Sequence, residues 1–272
     1  MAALQRDGVT LHVEEVPGNA PPLLLVHGWC CDLSFLAPQA RHFARLGHRV
    51  VSVDLRGHGA SDAPGQSYEH VFADDLAWIC ARLHIDKPIV VGHSMGGIVA
   101  YDLAKRHADV PRAIVMLDSA VALPDAVRAK VGPFLAALRG PHYRDTLSRF
   151  VEDSLFLPTD NAERRRAIIA RMNATPQHVM VAAYEALATF DLAEGKTGPS
   201  VPCLYIQADE ATPRSDLGRL LATAPQTMIG RVVGAGHFCQ LEVPDQVNAM
   251  IERFIALLPA AGAPPRSSRP ET

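Results

Sequence analysis

Ser94 lies in the turn Gly92-His93-Ser94-Met95-Gly96, a G-x-S-x-G pattern. The β-branched run Ile89-Val90-Val91 precedes it, and a helix-like segment from Gly97 to Arg106 follows. A serine held in a tight strand-to-helix turn projects its hydroxyl out of the sheet, where it can attack a carbonyl carbon. The flanking glycines suit such a turn, because a side chain there would collide with strand or helix. A serine hydroxyl is a poor nucleophile at neutral pH. It needs a base beside it, and the base needs an orienting group.

Among twelve histidines, His237 in Gly234-Ala235-Gly236-His237-Phe238 is best placed as that base. It follows the last expected strand on a glycine-rich loop, at the same end of the sheet as Ser94. His12 falls within a strand, and His58 falls in the turn Arg56-Gly57-His58-Gly59. His27 precedes Gly28 at a strand end, a place for bracing a loop. His93 adjoins Ser94, but side chains of such neighbours diverge. The reaction also needs N–H donors for a developing oxyanion. The expected donors are the backbone amides of Met95, directly after the serine, and of Trp29, after Gly28. Trp29, His93 and Phe238 are the expected substrate-binding side chains.

These residues need a scaffold that brings strand ends together. Strand-like runs are expected at Val9–Val13, Leu23–His27, Arg49–Asp54, Ile89–Gly92, Ala113–Asp118, Cys203–Gln207 and Met228–Val233. Helical segments are expected at Phe35–Leu46, Glu69–Leu83, near Ser215–Ala224 and from Asp245 to Leu258. Such alternation predicts a parallel sheet with helices on both faces. Ligands then gather outside the carboxyl ends of the strands. Residues 120–199 show no strand pattern. Val127, Val131, Phe134 and Leu138, and later Met180, Ala183 and Leu187, recur at helical spacing. The stretch is too long for one crossover and is expected to form a helical cap. Its apolar residues (Phe134, Leu135, Leu138, Phe150, Phe156, Met172, Met180) would line a hydrophobic site or form the cap's own core. The expected division is a core of 1–119 and 200–258, a cap of 120–199 and a disordered tail of 259–272.

Composition narrows the partners. A net charge of -3 without a basic, aromatic-rich cluster argues against nucleic acid. No apolar run is long enough for a membrane span, and the N-terminus lacks a signal-peptide core. Five cysteines (Cys30, Cys31, Cys80, Cys203, Cys239) lack metal-ligand spacing and read as reduced thiols, which suggests a cytoplasmic protein. No cofactor or metal is expected. The partner is a small-molecule substrate, and nothing in the sequence sets the oligomeric state.

Leu24-Leu25-Val26-His27-Gly28-Trp29, Asp54-Leu55-Arg56-Gly57-His58-Gly59-Ala60-Ser61, Gly92-His93-Ser94-Met95-Gly96-Gly97 and Gly234-Ala235-Gly236-His237 together resemble the α/β-hydrolase superfamily. The match runs in the right order over nearly the whole chain. It implies an α/β fold with a mostly parallel eight-stranded sheet, helices on both faces and a helical cap inserted after the sixth strand. It implies Ser94 as nucleophile and His237 as base. Asp54, Arg56 and Ser61 then belong to a structural loop.

The chain departs from the common pattern at the acid. The apolar run Val201–Gln207 continues as Ala208-Asp209-Glu210-Ala211-Thr212-Pro213. In register, alanine stands at 211 where the family places aspartate. Some members carry their acid at the end of the sixth strand, which corresponds to Asp118. Asp118 is the favoured acid, with Glu210 and Asp209 as alternatives. Asp118 could otherwise serve only to bind loop amides.

The resemblance favours a serine hydrolase acting on a small, hydrophobic carboxylic ester or lactone. Two other readings stand beside it. Gly28-Trp29-Cys30-Cys31-Asp32 and the displaced acid also resemble cofactor-independent dioxygenases of 3-hydroxy-4-oxoquinolines, in which a His237–Asp118 dyad would deprotonate the substrate. The scaffold could also serve as a non-catalytic ligand-binding protein. Dehalogenase or epoxide hydrolase chemistry is disfavoured, because the turn carries serine rather than aspartate.

Overall fold

The computed structural model describes residues 2–65, 68, 70–192, 194 and 197–259. The expected tail lies outside the described residues except for Pro259, as does Glu69 at the expected start of a helix. The strands are β1 (Ala2–Arg6), β2 (Val9–Val16), β3 (Ala20–Val26), β4 (His48–Val53), β5 (Ile89–His93), β6 (Ala113–Leu117), β7 (Cys203–Gln207) and β8 (Thr227–Arg231). They form one eight-stranded sheet in the order β1-β2-β4-β3-β5-β6-β7-β8. β2 pairs antiparallel with β1 and β4, and every other pairing is parallel. The fold is that of the α/β hydrolases, as expected.

Two corrections concern the margins of the sheet. It opens on β1, not on Val9–Val13, and the last strand ends at Arg231 rather than Val233. β1 is a largely exposed edge strand, so it carries no run of buried apolar residues to mark it. Beyond β8 the Val233 N–H donates to Gln246 Oε1 at 2.9 Å, which diverts it from the ladder.

The central strands are buried on both faces, as continuous apolar runs require. Alternate residues enter two separate cores. Leu24, Val26, Val90, Ile114 and Met116 face one, and Leu23, Leu25, Val91, Val115 and Leu117 face the other. The helices before β6 are α1 (Ala37–Arg45), α2 (Val71–Arg82) and α3 (Met95–Arg106). Between β6 and β7 come α4 (Asp125–Arg128), α5 (Val131–Leu138), α6 (Tyr143–Ser154), α7 (Ala162–Met172) and α8 (Gln177–Thr189). The chain closes with α9 (Leu217–Thr223), α10 (Cys239–Glu242) and α11 (Pro244–Leu257). Buried residues of α2 and α3 join the first core, and those of α1 and α11 join the second. The expected helix Phe35–Leu46 divides into a 3-10 turn, Leu33–Leu36, and α1, with Pro38 in the first turn of α1. Proline is tolerated there because its missing N–H has no partner within the helix.

Phe43 on α1 is fully buried in the second core. Phe43→Ala removes a large side chain from a close-packed layer and is expected to cost about 3–5 kcal/mol of unfolding free energy. Urea denaturation measures this as a lower midpoint at unchanged slope.

Candidate active site

Ser94 joins β5 directly to α3, with φ 54° and ψ -118°. A left-handed φ at a non-glycine residue costs about 1–3 kcal/mol and must be imposed by its surroundings. Three contacts impose it here. The Ser94 N–H donates to the Leu117 carbonyl at the end of β6 at 2.9 Å. A Cβ on Gly92 would lie 2.0 Å from the Gly96 carbonyl oxygen, and one on Gly96 would lie 2.2 Å from the Val26 carbonyl oxygen. Only glycine at both positions lets α3 start this close to β3 and β5.

His237 follows β8 and lies just before α10. Its Nδ1 is 2.7 Å from Asp118 Oδ2. The carboxylate can only accept, so Nδ1–H donates and Nε2 is left as the basic nitrogen. The backbone around it is pinned as well. The His237 N–H donates to the Leu155 carbonyl at 3.2 Å, and the His237 carbonyl lies 2.9 Å from His93 Nε2. Asp118 directly follows β6 with φ 42° and is 1% exposed. Its N–H donates to the Ile206 carbonyl at 2.7 Å, and its Oδ1 accepts from the Ala208 N–H at 3.0 Å. The carboxylate is thus wedged between the ends of β6 and β7 and presents its second oxygen to His237.

Burial pushes the Asp118 carboxyl above its usual range, while the Ala208 N–H and Arg214 oppose that rise. Burial, then Arg214, push the His237 imidazole below its usual value, with Glu210 opposing. The imidazole is therefore neutral at neutral pH and able to accept a proton. His93 is pushed down to about 3, chiefly by burial and then by His237.

The alternative acids are paired with arginines rather than with His237 Nδ1. Asp209 pairs with Arg231 at 2.7 Å and accepts from the Gly234 N–H at 3.0 Å. Glu210 pairs with Arg214 at 2.8 Å. Ala211 is exposed. One ring nitrogen or carboxylate oxygen each from Asp118, Glu210 and His237 lie within 4.8 Å of one another. The Arg214 guanidinium already stands at salt-bridge distance from both carboxylates, so the chain itself supplies a cation there.

The loop after β3 faces the serine. A Cβ on Gly28 would lie 3.1 Å from Ser94 Cβ. His27 braces this loop, with Nδ1 2.8 Å from the Gly28 carbonyl and Nε2 accepting from the Leu55 N–H at 3.0 Å. Asp54 holds it from the other side, accepting from the Leu33 N–H at 2.8 Å and the Ala60 N–H at 2.9 Å. Neither the Trp29 N–H nor the Met95 N–H finds a backbone acceptor among the described residues.

Ser94, His93, His237, Trp29 and Phe238 border one cavity of about 610 Å³. His93 and Phe238 are nearly fully buried, and their rings pack with that of His237 at centroid separations of 4.7 and 5.2 Å. The Trp29 indole N–H donates to the Met180 carbonyl in α8 at 2.8 Å, and its ring lies 4.9 Å from that of Tyr184. Phe134, Phe150, Phe156 and Met172 also line the cavity. Leu135, Leu138 and Met180 are instead buried in the helical packing. Tyr184 and Arg214 line the cavity but carry no sequence motif. Arg214 had one available signal, its place in the loop after β7 where an acid was expected.

The model of the alpha/beta hydrolase family matches residues 23–250. The chain is 30% identical over 262 residues to a pimeloyl-[acyl-carrier protein] methyl ester esterase of Xylella fastidiosa, covering 90% of this chain and 99% of that protein. It resembles the crystal structure of the enol-lactonase from Burkholderia xenovorans at 26% identity and a TM-score of 0.81, over 94% of this chain and 100% of that one. An esterase from Exiguobacterium antarcticum shares the fold, with a TM-score of 0.82 at 19% identity over 92% and 97% of the two chains. From the serine turn to the sheet order, and across residues 23–250, this chain belongs to the α/β-hydrolase family.

Proposed function

We propose that the protein is a serine hydrolase that cleaves a small, hydrophobic carboxylic ester or lactone through an acyl-enzyme on Ser94. The observation that carries this reading is the 2.7 Å pairing of Asp118 with Nδ1 of His237, which borders the same cavity as the strained Ser94 turn. His237 Nε2 takes the Ser94 proton as Oγ attacks the carbonyl carbon. The Met95 and Trp29 amides hold the oxyanion. The imidazolium then protonates the leaving alkoxide, and the acyl group stays on Ser94. Water, deprotonated by the same Nε2, releases the acid and restores the serine. In this reading residues 120–199 cap the core formed by 1–119 and 200–258. The aromatic wall of Trp29, Phe134, Phe150 and Tyr184 receives the apolar part of the substrate. The esterase and lactonase relatives support the ester or lactone class.

Among the described residues no helix is long and apolar enough to cross a membrane. All five cysteines are buried and unpaired, which fits a reducing, cytoplasmic setting.

A fluorophosphonate probe tests the reading. The expected outcome is a single covalent adduct that peptide mass spectrometry maps to Ser94, with competing loss of p-nitrophenyl ester turnover. No adduct, together with O₂ uptake on a 3-hydroxy-4-oxoquinoline, would replace it with the dioxygenase reading.

A further inference from the structure

Arg214 lies between β7 and α9 and borders the cavity with Ser94 and His237. Its side chain is 20% exposed. Nε stands 2.8 Å from Glu210 Oε2 and 3.7 Å from Asp118 Oδ2. Nη2 donates to Glu210 Oε1 at 2.8 Å and to the Ser154 carbonyl at the end of α6. One cation therefore bridges the carboxylate that meets His237 and a second carboxylate close by.

We propose that Arg214 is a positioning residue. Held by Glu210 and Ser154, its guanidinium keeps Asp118 ionised and aimed at Nδ1, and keeps the His237 imidazole unprotonated at Nε2. This rests on the reading of Ser94, His237 and Asp118 given above.

The physical argument starts from a carboxylate that is 1% exposed. Such a group needs compensation for its lost hydration. The Ala208 N–H and the His237 Nδ1–H supply two hydrogen bonds, and the guanidinium supplies opposite charge. The groups facing His237 are Asp118, Glu210, Arg214 and His93, with Asp160 bonded to the neighbouring Gly236 N–H and Cys239 two residues on. Asp118 and Glu210 favour a proton on the imidazole, while Arg214 and burial disfavour it. With Arg214 present, the charges of Asp118, Glu210 and Arg214 leave one net negative charge beside the imidazole; without it they leave two. Removing Arg214 therefore makes His237 easier to protonate.

The test titrates the His237 imidazole by NMR in nitrogen-labelled protein, which does not depend on turnover. Arg214→Gln is expected to raise the His237 titration by about one pH unit or more. A His237 that stays neutral to the acid limit of the folded wild type, but titrates above it in the variant, counts as that shift. The acid limb of kcat/KM for an ester should move up with it. Arg214→Lys keeps the charge and should return the titration most of the way to the wild-type value. If Arg214→Gln does not fold by circular dichroism, Arg214→Met is the second neutral variant. A His237 titration unchanged to within roughly 0.3 pH unit in a folded neutral variant overturns the proposal. Failure of the hydrolase reading looks different: no Ser94 labelling and no ester turnover in the wild type, whatever His237 does.

Discussion

Ser94→Ala is expected to lower kcat for a hydrophobic p-nitrophenyl ester by about 10⁵–10⁶-fold, as loss of a nucleophile that acts as a unit with its base does. The alanine lacks the oxygen that forms the acyl bond, and His237 then has only water to activate. KM should change little, because the cavity walls are formed by Trp29, Phe134, Phe150 and their neighbours rather than by the hydroxyl. The left-handed backbone at position 94 is imposed by Gly92, Gly96 and the bond to Leu117. Alanine therefore meets the same local strain, and the thermal midpoint should stay close to that of the wild type. Stopped-flow and steady-state assays across this range provide the measurement. A folded variant that keeps a tenth of the wild-type kcat would remove Ser94 from the mechanism.

Asp118→Asn is the second large effect, an expected loss of about 10⁴ in kcat. The asparagine fits the same space, and its oxygen can still accept from the Ala208 N–H. Its amide then offers N–H groups to Nδ1, which favours the tautomer with the proton on Nε2. That nitrogen can no longer accept a proton from Ser94. The control variants separate Asp118 from its neighbours. Asp209→Asn touches an exposed pair with Arg231 and is expected to leave kcat within about twofold, as surface changes do. Glu210→Gln keeps the shape of the Arg214 contact but removes one charge, and should cost far less than Asp118→Asn. Near-full turnover in Asp118→Asn, with collapse in Glu210→Gln, would assign the acid to Glu210 instead.

Much of the scaffold was readable because its signals are local. The runs Leu23–Val26, Ile89–Val91 and Ala113–Leu117 are continuous and apolar, and burial on both faces demands such runs. The edge strand β1 was not readable, since Ala2–Arg6 is mostly exposed and carries no pattern of burial. The helices between β6 and β7 show apolar periodicity, but periodicity does not say which faces meet the cavity. Phe134 and Phe150 reach it, whereas Leu138 and Met180 turn into the helical packing. Trp29 shows the same limit: its type and place were legible, but its bond to Met180 in α8 was not.

The turn at Ser94 is written in five consecutive residues, because a strained junction demands its glycines on the spot. The place of His237 after the last strand is likewise a matter of order along the chain. The identity of the carboxylate that meets its imidazole is of another kind. Asp118 and His237 are separated by 119 positions, and three acids were candidates from the sequence. Which one approaches Nδ1 depends on β6 lying between β5 and β7, on the Ala208 N–H capturing one oxygen of Asp118, and on Arg214 and Arg231 drawing Glu210 and Asp209 into other pairs. These are long-range pairings with no local signature, and only the folded chain brings them within a hydrogen bond's reach.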